Sequence, residues 1–97
     1  MMSGLKTARA GTLESGDIMI TVAPGASGSG IVIALDSIVL AQYGRAIRNT
    51  IKEVVSRQEI TDIYIKAVDR GALDCTIAAR LLAALSRAGV ILKGELL

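Results

Sequence analysis

Ninety-seven residues with eleven Lys and Arg against nine Asp and Glu, a net charge of +2 and no histidine exclude several classes of function. The length suits one domain that buries a core without disulfide or metal staples. The charge is far from the basic excess that neutralises many phosphates, and the missing imidazole removes the commonest general base and metal ligand.

With 52% hydrophobic residues, no Phe or Trp, and Tyr43 and Tyr64 as the aromatics, the core has to be aliphatic. A single cysteine, Cys75, makes no internal disulfide. With no secretory-type apolar leader and no run of membrane-spanning length, the reading is a cytoplasmic protein without a membrane partner. Residues 1–97 are read as one domain, with residues 1–8 as a flexible lead.

Thr7 to Leu13 reads as a first strand. The small and acidic residues of GTLESGD then bridge to a second, placing Ser15 at an exposed tip. Ile18, Ile20 and Val22 alternate with Met19 and Thr21 until Pro24 and Gly25, a strand signal. After GASGSG the alternation resumes at Ile31, Ile33 and Leu35, and the short connection predicts an antiparallel hairpin between these two runs.

Ser37 then reads as the N-cap of an amphipathic helix reaching about Gln58, with Leu40, Tyr43, Ile47, Ile51, Val54 and Val55 at helical spacing. TDIYIKAVD follows with strand alternation, Ile63, Ile65 and Ala67 on one side. Gly71 closes it. A second helix carries the stripe Ile77, Leu81, Leu85 and Ala88, with Asp74 suited to its N-terminal end and Gly89 to its C-terminal end. The expected fold is α+β: a small, largely antiparallel sheet with two helices packed on one face, in the order strands, helix, strand, helix.

Gly25, Gly28 and Gly30 do not make a phosphate loop, because no Lys-Ser/Thr pair follows and the next residues form a strand rather than a helix start. Cys75, with no histidine to activate it, reads as a small buried hydrophobe. Arg45, Arg48, Lys52 and Arg57 on the first helix lack interleaved aromatics and read as a solvated face, with no nucleic-acid partner. Asp36, Ser37 and Ile38 imitate the Asp-Ser-Leu triplet at which four-helix acyl carrier proteins bear phosphopantetheine. Strand alternation precedes Ser37 and basic residues follow it, so the helix-cap reading is preferred.

Three separated blocks change the standing of Ser15: GTLESGDIMI, QYGRAIRNTI and DRGALDCTIAARLLAALSRAG, in that order. Together they resemble the gamma chain of citrate lyase, its acyl carrier subunit, over about Ala10 to Gly89. The resemblance implies a 2'-(5''-phosphoribosyl)-3'-dephospho-CoA group held in phosphodiester linkage on Ser15. It also implies alpha and beta partner subunits and an attaching enzyme. In that complex the alpha subunit exchanges an acetyl thioester for a citryl thioester, and the beta subunit releases oxaloacetate and restores the acetyl form. The carrier itself needs no catalytic residue.

Glu14, Gly16 and Asp17 flank the serine in the family's motif. Gly16 is expected to let the chain run close beside a bulky substituent. For Glu14 and Asp17, a solvated turn is preferred over a metal held during attachment. GASGSG and the apolar IVIALDSIVL depart from the family's usual pattern, which bears on the hairpin register. The carrier subunit of malonate decarboxylase is the nearest alternative. A small module binding protein or nucleic acid through its basic helix is an alternative of another class.

Overall fold

The computed structural model describes residues 5–94. Four strands and two helices follow in the order β1 (Ala8–Gly11), β2 (Ile18–Pro24), β3 (Ile31–Ser37), α1 (Leu40–Arg57), β4 (Ile63–Asp69) and α2 (Asp74–Arg87). Residues 1–4 of the expected flexible lead lie outside the described residues. Of the rest, Leu5 is buried, the Lys6 N–H donates to the Ala88 carbonyl at 2.9 Å, and Ala8 opens β1.

The sheet has the strand order β1-β2-β4-β3, with β1/β2 and β2/β4 antiparallel and β3/β4 parallel. The expected α+β class holds, but the sheet is mixed. The expected β2–β3 hairpin does not form, because β4 lies between the two strands. Their antiparallel direction is as read and their adjacency is not. The chain leaves β2 through Gly25 to Gly30, lays down β3 at the edge, crosses by α1 and returns with β4 parallel to β3. A parallel neighbour requires such a crossover. The central position goes to the strand with the strongest burial: Ile63, Ile65, Ala67 and Asp69 are all buried, whereas no residue of β3 is.

Alternation decides which sheet face is covered. Ile18, Ile20 and Val22 of β2 stand opposite Asp69, Ala67 and Ile65 of β4, and all are buried. The helices cover this face, α2 packing on β1 and β2 while α1 packs on β3 and on α2. Ile47, Ile51 and Val55 of α1 and Ile77, Leu81, Ala84 and Leu85 of α2 complete an aliphatic core. Each large side chain fully removed from water there contributes roughly 1.5–3 kcal/mol. On the other face Tyr64 and Lys66 remain exposed.

Ser37 is not a helix cap. It ends β3, where its hydroxyl donates to Asp69 Oδ2 at 2.8 Å and accepts the Val39 N–H at 3.1 Å. Helix α1 starts three residues later, with Val39 at the cap position and no side-chain cap. Asp69 is 1% exposed and also accepts the amides of Gly71 and Ala72, at 3.1 and 3.0 Å. A carboxylate can be buried at this cost only when its lone pairs are matched by donors, as they are here. Cys75 is also not buried: it is exposed in the first turn of α2, because its position does not fall on the Ile77–Leu81–Leu85 stripe.

Candidate functional site

The loop joining β1 to β2 carries all four residues of the ESGD motif. The Asp17 N–H donates to the Glu14 carbonyl at 3.0 Å, closing a four-residue turn. Gly16 has φ +83°, while Ser15 is not among the residues with positive φ. Positive φ at the third position alone is the signature of a type II turn, in which glycine is favoured. Ser15 therefore occupies the outer corner, exposed to solvent. A Cβ on Gly16 would meet no atom within 4 Å, so backbone conformation and not crowding within the chain requires glycine there.

Three elements hold this turn in place. The Gly16 N–H donates to the Arg70 carbonyl at 2.7 Å, and the Arg70 N–H returns the bond to the Asp17 carbonyl at 2.8 Å. The loop after β4 thus clamps the turn. From α2, Arg80 meets Asp17 with Nε on Oδ1 and NH2 on Oδ2, each at 3.0 Å. From the loop itself the Thr12 hydroxyl donates to Asp17 Oδ2 at 2.7 Å, and the Ile18 amide donates to Oδ1 at 2.7 Å.

The Arg80 hydrogen bond, then Thr12 and the Ile18 amide, holds the Asp17 carboxyl well below the usual carboxylate range. Arg80 is in turn kept protonated more firmly than a free guanidinium. Asp17 is therefore the anchor of the turn rather than one of its solvated acids. Glu14 is exposed, its backbone N–H donating to Thr12 Oγ1 at 3.2 Å.

The structure sets Glu14, Ser15, Gly16 and Asp17 on one exposed turn and places Ser37 at the end of β3, hydrogen-bonded to Asp69. Arg70, Asp69 and Arg80 complete the support, and the sequence reading did not single them out. Arg80 left a faint signal, as the one charge inside TIAARLLAAL. The basic face of α1 is not uniformly solvated either: Arg48 NH1 donates to the Ile33 carbonyl at 2.9 Å on the outer edge of β3. Among the described residues no group of His, Cys, Asp and Glu is arranged to hold a metal ion, and no helix is long and apolar enough to cross a membrane.

Comparison with known proteins gives this geometry a context. The family model described as malonate decarboxylase delta subunit (MdcD), an acyl carrier family, matches residues 5–88. The citrate lyase acyl carrier protein of Streptococcus uberis is 51% identical over 87 residues, covering 90% of this chain and 84% of that protein. Its counterpart in Streptococcus equi subsp. equi is 53% identical over 79 residues, 81% of this chain and 76% of that protein. That of Latilactobacillus sakei is 50% identical over 80 residues, 82% and 77% respectively.

In fold, the chain is similar to one in the crystal structure of a Pseudomonas malonate decarboxylase hetero-tetramer in complex with malonate. The TM-score is 0.75 at 22% identity, over 89% of this chain and 87% of that one. The mixed four-stranded sheet with two helices is thus shared well beyond recognisable sequence. With about half its residues identical to theirs across most of both chains, this chain belongs to the family of citrate lyase acyl carrier proteins.

Proposed function

We propose that this chain is the non-catalytic acyl carrier subunit of a citrate lyase, carrying 2'-(5''-phosphoribosyl)-3'-dephospho-CoA on Ser15. The observation that carries the reading is the setting of Ser15. Its hydroxyl stands at the outer corner of a type II turn that two backbone hydrogen bonds and the Arg80–Asp17 pair fix to the core. An attaching enzyme needs both properties at once: a hydroxyl open to approach, and a base that does not yield when the arm is pulled between sites.

The residues present fit the group. Ser15 Oγ becomes the ester oxygen, and the absence of any neighbour within 4 Å of a Cβ at Gly16 leaves the space beside it open. When bound, the group supplies a thiol that bears the acetyl or citryl unit on a long arm. The chain's own part is mechanical: Asp17, Arg70 and Arg80 hold the point of attachment, and tethering raises the acyl group's effective concentration at the alpha and beta subunits. That complex would work in the cytoplasm.

Mass spectrometry of the chain produced with its attachment enzymes tests this. A dephospho-CoA-derived adduct on the peptide containing Ser15, absent from Ser15→Ala, is the expected result. An unmodified Ser15 beside a known carrier that those enzymes do modify overturns it. The match to the malonate decarboxylase family model favours a second reading, with the same group and a different acyl unit. Reconstitution separates the two: the loaded chain restores citrate cleavage to citrate lyase alpha and beta subunits, or malonate decarboxylation to the corresponding subunits.

A further inference from the structure

We infer that the groove between the first turns of α1 and α2 is a resting site for the arm carried by Ser15, receiving its neutral amide-bearing segment and acetylated end; the inference rests on the carrier reading above. The groove encloses about 620 Å³ and is lined chiefly by Val39, Tyr43, Ala46, Ile47, Ala72 and Leu73. A volume of this order suits a small-molecule segment. Tyr43 and Leu73 are 49% and 71% exposed, so apolar surface is left open at this place.

Two observations select the occupant. The first is continuity. Arg70, which exchanges backbone hydrogen bonds with Gly16 and Asp17, directly precedes Gly71 and Ala72 in the groove wall. Ser15 is therefore joined to the groove wall through its neighbour Gly16, one backbone hydrogen bond to Arg70, and the step from Arg70 to Gly71. Tethering at that distance puts the local concentration of the arm in the millimolar range, at which even weak apolar contact fills a site.

The second is charge. Asp69 lies in the lining, but its two carboxylate oxygens are engaged by the Ser37 hydroxyl and the amides of Gly71 and Ala72. Asp74 lines it as well, and among the described residues no Lys or Arg does. Such a surface repels the phosphates of the arm and accepts its uncharged part. An acetyl thioester lodged there is shielded from water between visits to the partner subunits.

The test uses Cys75, the chain's single cysteine, which is exposed and lies in the groove lining. With the arm thiol acetylated, Cys75 is the one free thiol. Its alkylation rate by N-ethylmaleimide is compared between the acetylated holo protein and the unmodified chain, with ¹H–¹⁵N spectra of both and loading verified by mass. The expected result is alkylation slowed by about threefold or more in the holo protein. Amide shifts are expected at Val39, Tyr43, Ala72 and Leu73. In Ala46→Glu, which places a carboxylate at an exposed position of the groove, both effects vanish at equal loading.

A loaded Ser15 with shifts confined to residues 12–18 and Cys75 alkylated at the unmodified rate overturns the inference while leaving the carrier reading intact. Protection of the groove only when a partner subunit is added also overturns it, and assigns the surface to that protein. Absence of any adduct on Ser15 removes the carrier reading and this inference together.

Discussion

Arg80 in the second helix grips Asp17 in the first loop through two parallel hydrogen bonds of 3.0 Å, across 63 residues of sequence. The Asp17 side chain is 13% exposed and that of Arg80 42%. A paired fork of this kind fixes orientation as well as distance. Because Asp17 closes the turn on which Ser15 sits, the pair sets where the hydroxyl points relative to the core.

The pair makes stability depend on pH in a defined window. The folded-state pKa of Asp17 lies below its unfolded value, so the stabilisation is complete above the unfolded carboxylate range and is lost as pH falls through the folded value. Unfolding midpoints should fall as the pH drops below about 4. In Asp17→Asn the protein should be less stable at pH 7 and that part of the acid decline should be missing. An unchanged acid profile in the variant would show that other carboxylates carry it.

Ser15 and Ser37 should give crossed results. Ser15→Ala removes an exposed hydroxyl and should change stability by no more than about 0.5 kcal/mol while abolishing attachment. Ser37→Ala takes a donor from the buried Asp69 carboxylate and should cost about 1–3 kcal/mol, with Ser15 still modified. Denaturant titration paired with mass spectrometry reads both. Loss of attachment in Ser37→Ala at conditions where it is folded would contradict the assignment.

Gly11, the last residue of β1, and Gly16 in the following loop should differ sharply. Gly11 has φ +97°, and a Cβ there would overlap the Ile18 carbonyl oxygen of the paired strand. Gly11→Ala should therefore be severely destabilising, by more than about 4 kcal/mol. Gly16→Ala meets no neighbour and should cost only the left-handed backbone penalty, about 1–2 kcal/mol. Similar losses for the two would show that the β1–β2 pairing yields more readily than its register suggests.

Arg48 blunts a sheet edge. Its guanidinium occupies the Ile33 carbonyl on the outer side of β3, an apolar strand with no outer neighbour among the described residues. Exposed edges invite pairing with another chain. Arg48→Ala should lose about 1 kcal/mol and show self-association that grows with concentration. Sedimentation velocity would reveal it, and a strictly monomeric variant would mean that the helix α1 backbone already covers the edge.

Local patterns set the elements and most of the side of each that is buried, although Leu40 and Tyr43 of the stripe read for α1 stay exposed. Period-two alternation in Ile18–Val22 and Ile63–Ala67 and helical spacing in Ile47–Val55 are local properties, and the core uses those residues. The sequence also placed Ser15 on a turn, since Gly16 beside short polar residues has few other uses. Which strands are neighbours was settled by long-range packing, because alternation specifies a face and is silent about the adjacent strand; hence β4 stands where β3 was expected.

The same holds for the support of the site. Ser37 left the helix start for Asp69, and Asp17 turned from a solvated acid into an anchor, when residues 32 and 63 positions away supplied their partners. Hydrogen bonds of that reach come into being only when the chain has closed on itself, so no local pattern records them.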